Sequence, residues 1–408
     1  MTREFIDFVN THRDEDTARL LLSAARYPSV DMASAVQQIE GLRTAREKWP
    51  SLLRCEEFRY PPRLNREQAS AEAVAECRVD ECLKDLSLDG HFVADPAALC
   101  VADLTGGMGV DTMAFARVCR EVDYVERDPQ LCTLAEENFR VLGLGNVHIH
   151  CCDSMKWLLG QKEKGRRFDI IFIDPARRDG LGRKMVGFDS CEPNILQNLP
   201  LLYKCCRFLI VKASPMIDID LGCRQLKKVE NVFVLVCRGE CKEVAFMCGG
   251  LEDETLIHAV VADADNSQYF CITRKEESEA ELVLADRVGA YLYEPNAAVM
   301  KSGAFAMLCQ EFDVEALAPN THLYTSDSLK DDFPGRIFEV LGEIKLVKPS
   351  VAAAVPEGRA HVLTRNYPVR ADELQKRLGL KEGGDIYIVA TTIGKNKSGF
   401  LCSIVSRK

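Results

Sequence analysis

Four short strand-like segments in the first half of the chain each end in side chains able to do polar chemistry. Val101-Ala102 runs into Asp103, and Thr105, Gly106, Gly107 and Gly109 follow before a helical pattern opens at Asp111. Val122 to Val125 runs into Glu126-Arg127, Val147 to Cys152 into Asp153-Ser154, and Phe168 to Ile173 into Asp174-Pro175. Glycines between a strand and a helix let backbone approach a ligand at a helix N-terminus. A carboxylate such as Glu126 can accept two hydrogen bonds from ribose hydroxyls, and one such as Asp153 suits an adenine amino group. The chemistry is that of a nucleotide-like cofactor. The order Thr105-Gly-Gly-Met-Gly109 is not the G-x-G-x-x-G of dinucleotide sites. The acid expected about 20 residues after the glycine loop is present as Glu126.

These groups are useful only if something brings them to one edge. Strand, glycine turn, helix, then three more strands with polar ends predict a parallel sheet with a crevice at its carboxyl ends. Cys206 to Lys212 reads as a fifth strand, and 231–237 with 243–247 as an antiparallel pair joined through 238–242. Each motif also has a plainer reading. The glycines can be an ordinary turn, Glu126 a solvated strand end, and Asp174-Pro175 a turn. Asp153 can be the cap of a helix starting at Ser154.

The series resembles the class I S-adenosylmethionine (SAM) methyltransferases over roughly 95 to 250. Asp103 to Gly109 matches their glycine motif, with Thr105 where the first glycine is commonest. Glu126 matches the ribose acid, Asp153 the adenine acid, and Asp174-Pro175 the fourth motif. The resemblance implies SAM as cofactor, held by Asp103, Thr105, Gly106, Gly107, Gly109, Asp111, Glu126, Arg127, Asp153 and Ser154. It implies an α/β fold: a Rossmann-like seven-stranded class I methyltransferase sheet with an N-terminal helical region and small C-terminal α+β domains.

The chain has 408 residues, 47% of them hydrophobic and 28% charged, so several domains are expected. No apolar run is long enough for a membrane span, the N-terminus lacks a signal-peptide core, and a cytoplasmic protein is expected. The 18 cysteines include the pairs Cys151-Cys152 and Cys205-Cys206 but no C-x-x-C, so no metal is expected and most read as reduced core residues. Residues 1–94 read as helices, including Asp14 to Tyr27, Asp31 to Lys48 with Asp31 as its cap, and one starting at Asn65. The sheet domain takes 95–254. A small α+β domain takes 255–340, with a helix from Ala297 to Cys309. A last α/β domain takes 341–408, with Lys395 to Gly399 at a hairpin tip. Segments Tyr293 to Lys301 and Arg365-Asn-Tyr-Pro-Val resemble bacterial class I methyltransferases that carry a ferredoxin-like insert and a C-terminal THUMP-like domain. That resemblance implies an RNA substrate.

The net charge of −10 speaks against nucleic acid until its distribution is read. Residues 361–408 hold nine basic against four acidic side chains, and 162–184 hold eight against four. Local basic faces matter more to phosphates than the total, although plain solvation explains such patches too. Asp174, Pro175 and Arg177 are the candidate catalytic residues: the acid and the proline carbonyl can accept hydrogen bonds from an exocyclic amine. The aromatic that usually follows in amino-directed base methyltransferases is missing, and Arg177 can stack on a base or hold a phosphate instead. Arg177, Arg178, Lys212, Lys395 and Lys397 are candidate substrate contacts. No cysteine lies in 174–178 or 212–215, which favours a base nitrogen over a pyrimidine carbon. The expected function is a SAM-dependent RNA methyltransferase. Alternatives are a methyltransferase on a small molecule or protein, and a non-catalytic SAM- or RNA-binding protein. The residues do not define an oligomeric state.

Overall fold

A computed structural model describes residues 1–88, 95–177, 187–189, 191–249, 254–263, 267–394 and 396–405. The chain divides into two compact units. The first, Met1–Thr255 with 262–265, contains the N-terminal helices and the sheet together. Its helices are α1 (Arg3–His12), α2 (Thr17–Leu22), α3 (Met32–Lys48), α4 (Arg63–Gln68) and α5 (Glu72–Leu88). Asp31 caps α3 as expected, its carboxylate accepting from the Ser34 N–H. The helix expected from Asn65 breaks after Gln68 and resumes at Glu72, which leaves Ser70 in the break.

The alternation then follows the apolar runs: β1 (Cys100–Asp103), α6 (Val110–Ala116), β2 (Glu121–Glu126), α7 (Pro129–Val141), β3 (Val147–Cys151), α8 (Ser154–Glu163) and β4 (Phe168–Ile173). Two short strands, β5 (Ala176–Arg177) and β6 (Cys191–Glu192), pair with each other outside the main sheet. Next come α9 (Ile195–Cys205), β7 (Cys206–Ala213), α10 (Ile219–Leu226), β8 (Val229–Cys237) and β9 (Glu240–Cys248). Within the first unit the strand order is β3-β2-β1-β4-β7-β9-β8. The first five are parallel and β9 runs antiparallel to both β7 and β8. This is the class I methyltransferase sheet. Ile170, Ile171, Phe172 and Ile173 of β4 are all fully buried, because a parallel strand is covered on both faces. Helix α5 packs on α6 and β8, so the N-terminal region is part of the sheet's covering layer.

The second unit is Leu256–Val261 with 266–408. It contains the antiparallel pair β10 (Leu256–Val261) and β11 (Gln268–Thr273), then α11 (Arg274–Glu279) and β12 (Tyr291–Pro295). The single helix expected over 297–309 is two, α12 (Ala297–Ser302) and α13 (Ala306–Phe312). Gly303 between them takes φ +77°, a left-handed conformation that ends the first. The remaining elements are β13 (Glu315–Ala316), β14 (Tyr324–Ser326), β15 (Gly335–Glu343), α14 (Lys348–Ala354), β16 (His361–Thr364), α15 (Ala371–Leu378), β17 (Ile386–Ile393) and β18 (Asn396–Ile404). One seven-stranded sheet runs β13-β14-β12-β15-β18-β17-β16. The boundary expected at 340/341 therefore falls inside β15, and the two small domains share a sheet.

Candidate active site

The glycine loop is built by steric demands on each side. A Cβ on Gly106 would lie 2.2 Å from the ring of Tyr124, which is fully buried. The Tyr124 hydroxyl donates to the Gly107 carbonyl at 2.7 Å. Gly107 and Gly109 have φ of +53° and +86°, conformations costly for any other residue. Gly109 sits at the N-cap of α6. Gly107 donates its N–H to Glu126 Oε2 at 2.9 Å, while Glu126 Oε1 accepts from the N–H groups of Arg127 (2.8 Å) and Asp128 (2.9 Å). The end of β2 is thereby locked to the loop.

Asp103 is fully buried and shapes the loop from beneath. It accepts from the Thr105 N–H at 3.0 Å and the Thr112 hydroxyl at 2.6 Å. Burial, then the charge of Asp111, pushes its carboxyl up to about 7. Thr105, which stands where the resemblance expects a glycine, uses its hydroxyl to accept the N–H of Asp174 at 2.7 Å. The cofactor loop and the fourth motif are therefore directly bonded.

A cleft of about 760 Å³ opens over these residues and is lined by Thr105, Gly107, Glu126, Asp153, Ser154 and Asp174 among others. Gly109, Asp111 and Arg127 also line it. Asp153 caps α8, with Oδ1 accepting from the Lys156 N–H at 2.9 Å. The guanidinium of Arg127 is taken by Glu192 of β6 at 2.5 Å.

Beneath Asp174 lies a buried charge network that extends into the N-terminal helices. Lys212 places its ammonium 2.6 Å from Asp174 Oδ2, 2.9 Å from the Ser70 hydroxyl and 3.9 Å from Glu243. Burial alone would depress its pKa, but Asp174, Asp111 and Glu243 outweigh that and hold it above the ordinary lysine value. Arg78, fully buried, bonds Glu243 at 2.5 Å and also pairs with Asp111, its guanidinium 4.8 Å from the Phe172 ring. Burial works against the Asp111 charge, and Arg78 followed by Lys212 wins, so that carboxyl sits below its ordinary value. Two cations face three carboxylates, and burial pushes the Glu243 carboxyl above its ordinary value; removing a partner from a fully buried pair such as Arg78–Glu243 would cost of order 3–5 kcal/mol.

The structure thus brings Asp103, Thr105, the three glycines, Asp111, Glu126, Asp153, Ser154, Asp174 and Lys212 together. Lys212 is only 11% exposed and faces Asp174 rather than the solvent. Pro175 is half-buried at the start of the β5 turn, and the backbone of Arg177 pairs with Cys191. Lys397 is exposed on β18 of the second unit. Arg178 and Lys395 lie outside the described residues. Ser70, Arg78 and Glu243 escaped the sequence reading although two of them carried a signal. Arg78 falls on the apolar stripe Val74, Ala75, Val79, Cys82, and Glu243 precedes the apolar run 244–247. A charge on a core face needs a buried partner.

Three segments match known family models: residues 97–186 match "conserved hypothetical protein 95", 291–334 a ferredoxin-like domain, and 335–404 a THUMP domain-like module. An uncharacterised S-adenosylmethionine-dependent methyltransferase of Mycobacterium tuberculosis is 24% identical over 78% of this chain and 84% of its own. A 23S rRNA (uracil(1939)-C(5))-methyltransferase RlmD of Aeromonas salmonicida is 34% identical over 23% of each chain. A solved structure from Porphyromonas gingivalis W83, provisionally named a methyltransferase, superposes with a TM-score of 0.84 at 25% identity. The superposition covers 99% of this chain and 98% of that one.

Proposed function

We propose that this chain is a SAM-dependent methyltransferase whose acceptor is RNA, with a base nitrogen as the methylated atom. The observation that carries the reading is Asp174, bonded at once to the loop hydroxyl of Thr105 and to Lys212, in the cleft that Glu126 and Asp153 also line. The cleft volume lies in the range of small-molecule sites, about 300–1,000 Å³. A Cβ on Gly107 would meet only the Thr105 carbonyl oxygen at 3.7 Å, so the backbone there is open to a ligand. Asp153 Oδ2 is free for an amino donor, and Glu126 keeps one acceptor site, on Oε2, beside the three N–H groups it already binds. The residues fit SAM.

SAM supplies a methyl group on a sulfonium that leaves as a neutral thioether. Glu126 would hold the ribose hydroxyls, Asp153 the adenine amino group, and the loop from Asp103 to Gly109 the remainder of the cofactor. Ser154 and Asp111 border that pocket, and Arg127 fixes its rim through Glu192. Asp174 and the Pro175 carbonyl would accept hydrogen bonds from the acceptor's amine and aim its lone pair along the transfer axis. Lys212 orients the Asp174 carboxylate through its hydrogen bond to Oδ2. Arg177, Arg178, Lys395 and Lys397 would contact the RNA. The RNA part of the reading rests on the THUMP-like match and the rRNA-directed relatives. Among the described residues no helix is long and apolar enough to cross a membrane, and the cytoplasm is the proposed site of action.

A pyrimidine carbon is the second reading. It would require a thiolate beside the base, and β6 brings Cys191 across from Arg177. The deciding experiment is methyl transfer from radiolabelled SAM into size-fractionated RNA of cells lacking this protein. Label in one RNA fraction, lost in Asp174→Ala and kept in Cys191→Ala, supports nitrogen methylation. Loss in Cys191→Ala with SAM binding intact moves the target to carbon. No label in any fraction would refute the RNA reading.

A further inference from the structure

The two segments that resemble the ferredoxin-like and THUMP-like family meet at one buried carboxylate. Glu294, near the end of β12 and opposite Arg336 across the ladder, has a side chain only 5% exposed. Arg336 of β15 binds its Oε2 through Nε at 2.7 Å and also through Nη2. Arg365, following β16, brings Nη2 to 2.5 Å of Oε1. The two guanidiniums remain 47% and 44% exposed. One carboxylate between two arginines leaves one positive charge uncompensated.

The contacts are unequal in a way that a simple structural clip does not require. A clip would set Arg365 fork-to-fork on the carboxylate. Here Oε1 is close to Arg365 yet has no aligned hydrogen bond, and one Arg365 N–H goes to the Thr364 carbonyl at 3.2 Å. Charge holds Arg365 in place while most of its donors stay available.

The surroundings are also built rather than incidental. His322 and Asn366 both take left-handed backbone, with φ of +51° and +48°, which for non-glycine residues is a cost that the local structure must sustain. Asn366 donates to the Thr321 hydroxyl at 3.0 Å, tying these two bends together. His322 packs on Phe305 with ring centroids 4.0 Å apart. Burial, followed by the charge of Arg365, holds the histidine below its ordinary pKa.

We propose that Arg336 and Arg365, pre-positioned by Glu294, form a phosphodiester-binding site for single-stranded RNA in the second unit, next to the Phe305–His322 ring pair. Planar guanidiniums match phosphate oxygens in two-point contacts, and a fixed fork loses little freedom on binding. The proposal rests on RNA being the acceptor.

The test is fluorescence anisotropy of fluorescein-labelled oligouridine across a salt series, with a thermal melt of each variant. Arg336→Ala/Arg365→Ala should bind about tenfold more weakly, the loss expected for hydrogen bonds to a charged group. Its salt slope should become shallower by roughly 0.7, the value for one phosphate contact on a single strand. Glu294→Gln should move the opposite way, tightening binding several-fold with a steeper slope, because it frees a guanidinium charge. If the double alanine variant does not fold, Arg336→Lys/Arg365→Lys and Glu294→Gln carry the test. Affinity and slope equal to wild type in the arginine variants would overturn the site. A wild-type protein that binds SAM but no oligouridine at low salt would instead sink the RNA reading beneath it.

Discussion

The ammonium of Lys212 lies 2.6 Å from the carboxylate of Asp174, and both belong to the carboxyl ends of neighbouring parallel strands, β7 and β4. Lys212, which the sequence offers equally as a substrate contact or a structural residue, pairs with the candidate catalytic acid. It also donates to Ser70, which arrives from the break between α4 and α5.

Lys212→Met should therefore destabilise the first unit by about 1–3 kcal/mol, because it removes the donor to Ser70 and the half-buried Asp174 while Arg78 stays on Glu243. Methyl transfer should be lost along with it. Lys212→Arg keeps the charge and should recover most of the melting temperature. Thermal melts of the two variants check this, and a Lys212→Met protein as stable as wild type would refute the counter-ion role.

Thr105→Val removes the hydroxyl that receives the Asp174 N–H. An unsatisfied buried donor costs about 1–3 kcal/mol. The cofactor contacts of Glu126 do not pass through this hydroxyl. SAM affinity by calorimetry should thus change little while turnover falls, and Thr105→Ser should restore turnover. Equal losses of binding and turnover would show that Thr105 acts on the cofactor instead.

The two middle glycines should fail for different reasons. Gly106→Ala drives a methyl group into the fully buried Tyr124 ring, and the ring also anchors Gly107, so both stability and SAM binding should drop. Gly107→Ala meets open space but needs φ of +53°, a penalty of about 1–2 kcal/mol. Melting temperatures should rank wild type, Gly107→Ala, Gly106→Ala. The reverse ranking would mean that Tyr124 moves aside.

Asp103 predicts a pH dependence of definite sign. Its carboxyl is raised from 3.8 to about 7 in the fold, so the folded chain binds more protons than the unfolded one between those values. Its contribution is greatest below pH 3.8 and is lost as pH rises through about 7. The isosteric Asp103→Asn variant lacks this titration. Melts across that window should show wild type losing stability relative to the variant as pH rises. A constant difference would place the Asp103 pKa near its ordinary value.

The amino-acid sequence alone determined the order of strand and helix in the first unit and the acids at the strand ends. Short strands rich in apolar side chains such as β1, β2 and β4 bury where they pair, and polar residues at their carboxyl ends emerge on one edge of a parallel sheet. Glycine positions were legible for a similar reason, since left-handed backbone leaves few other choices. Only the tertiary structure decided which charges face each other. Arg78 and Asp111 are 33 positions apart, and Arg78 and Glu243 are 165 apart. Local periodicity has no access to such separations. It also decided that Glu294 would gather Arg336 and Arg365 from β15 and the end of β16. A buried charge is stable only with a partner, and the fold, by closing distant segments on one another, selects which partner that is.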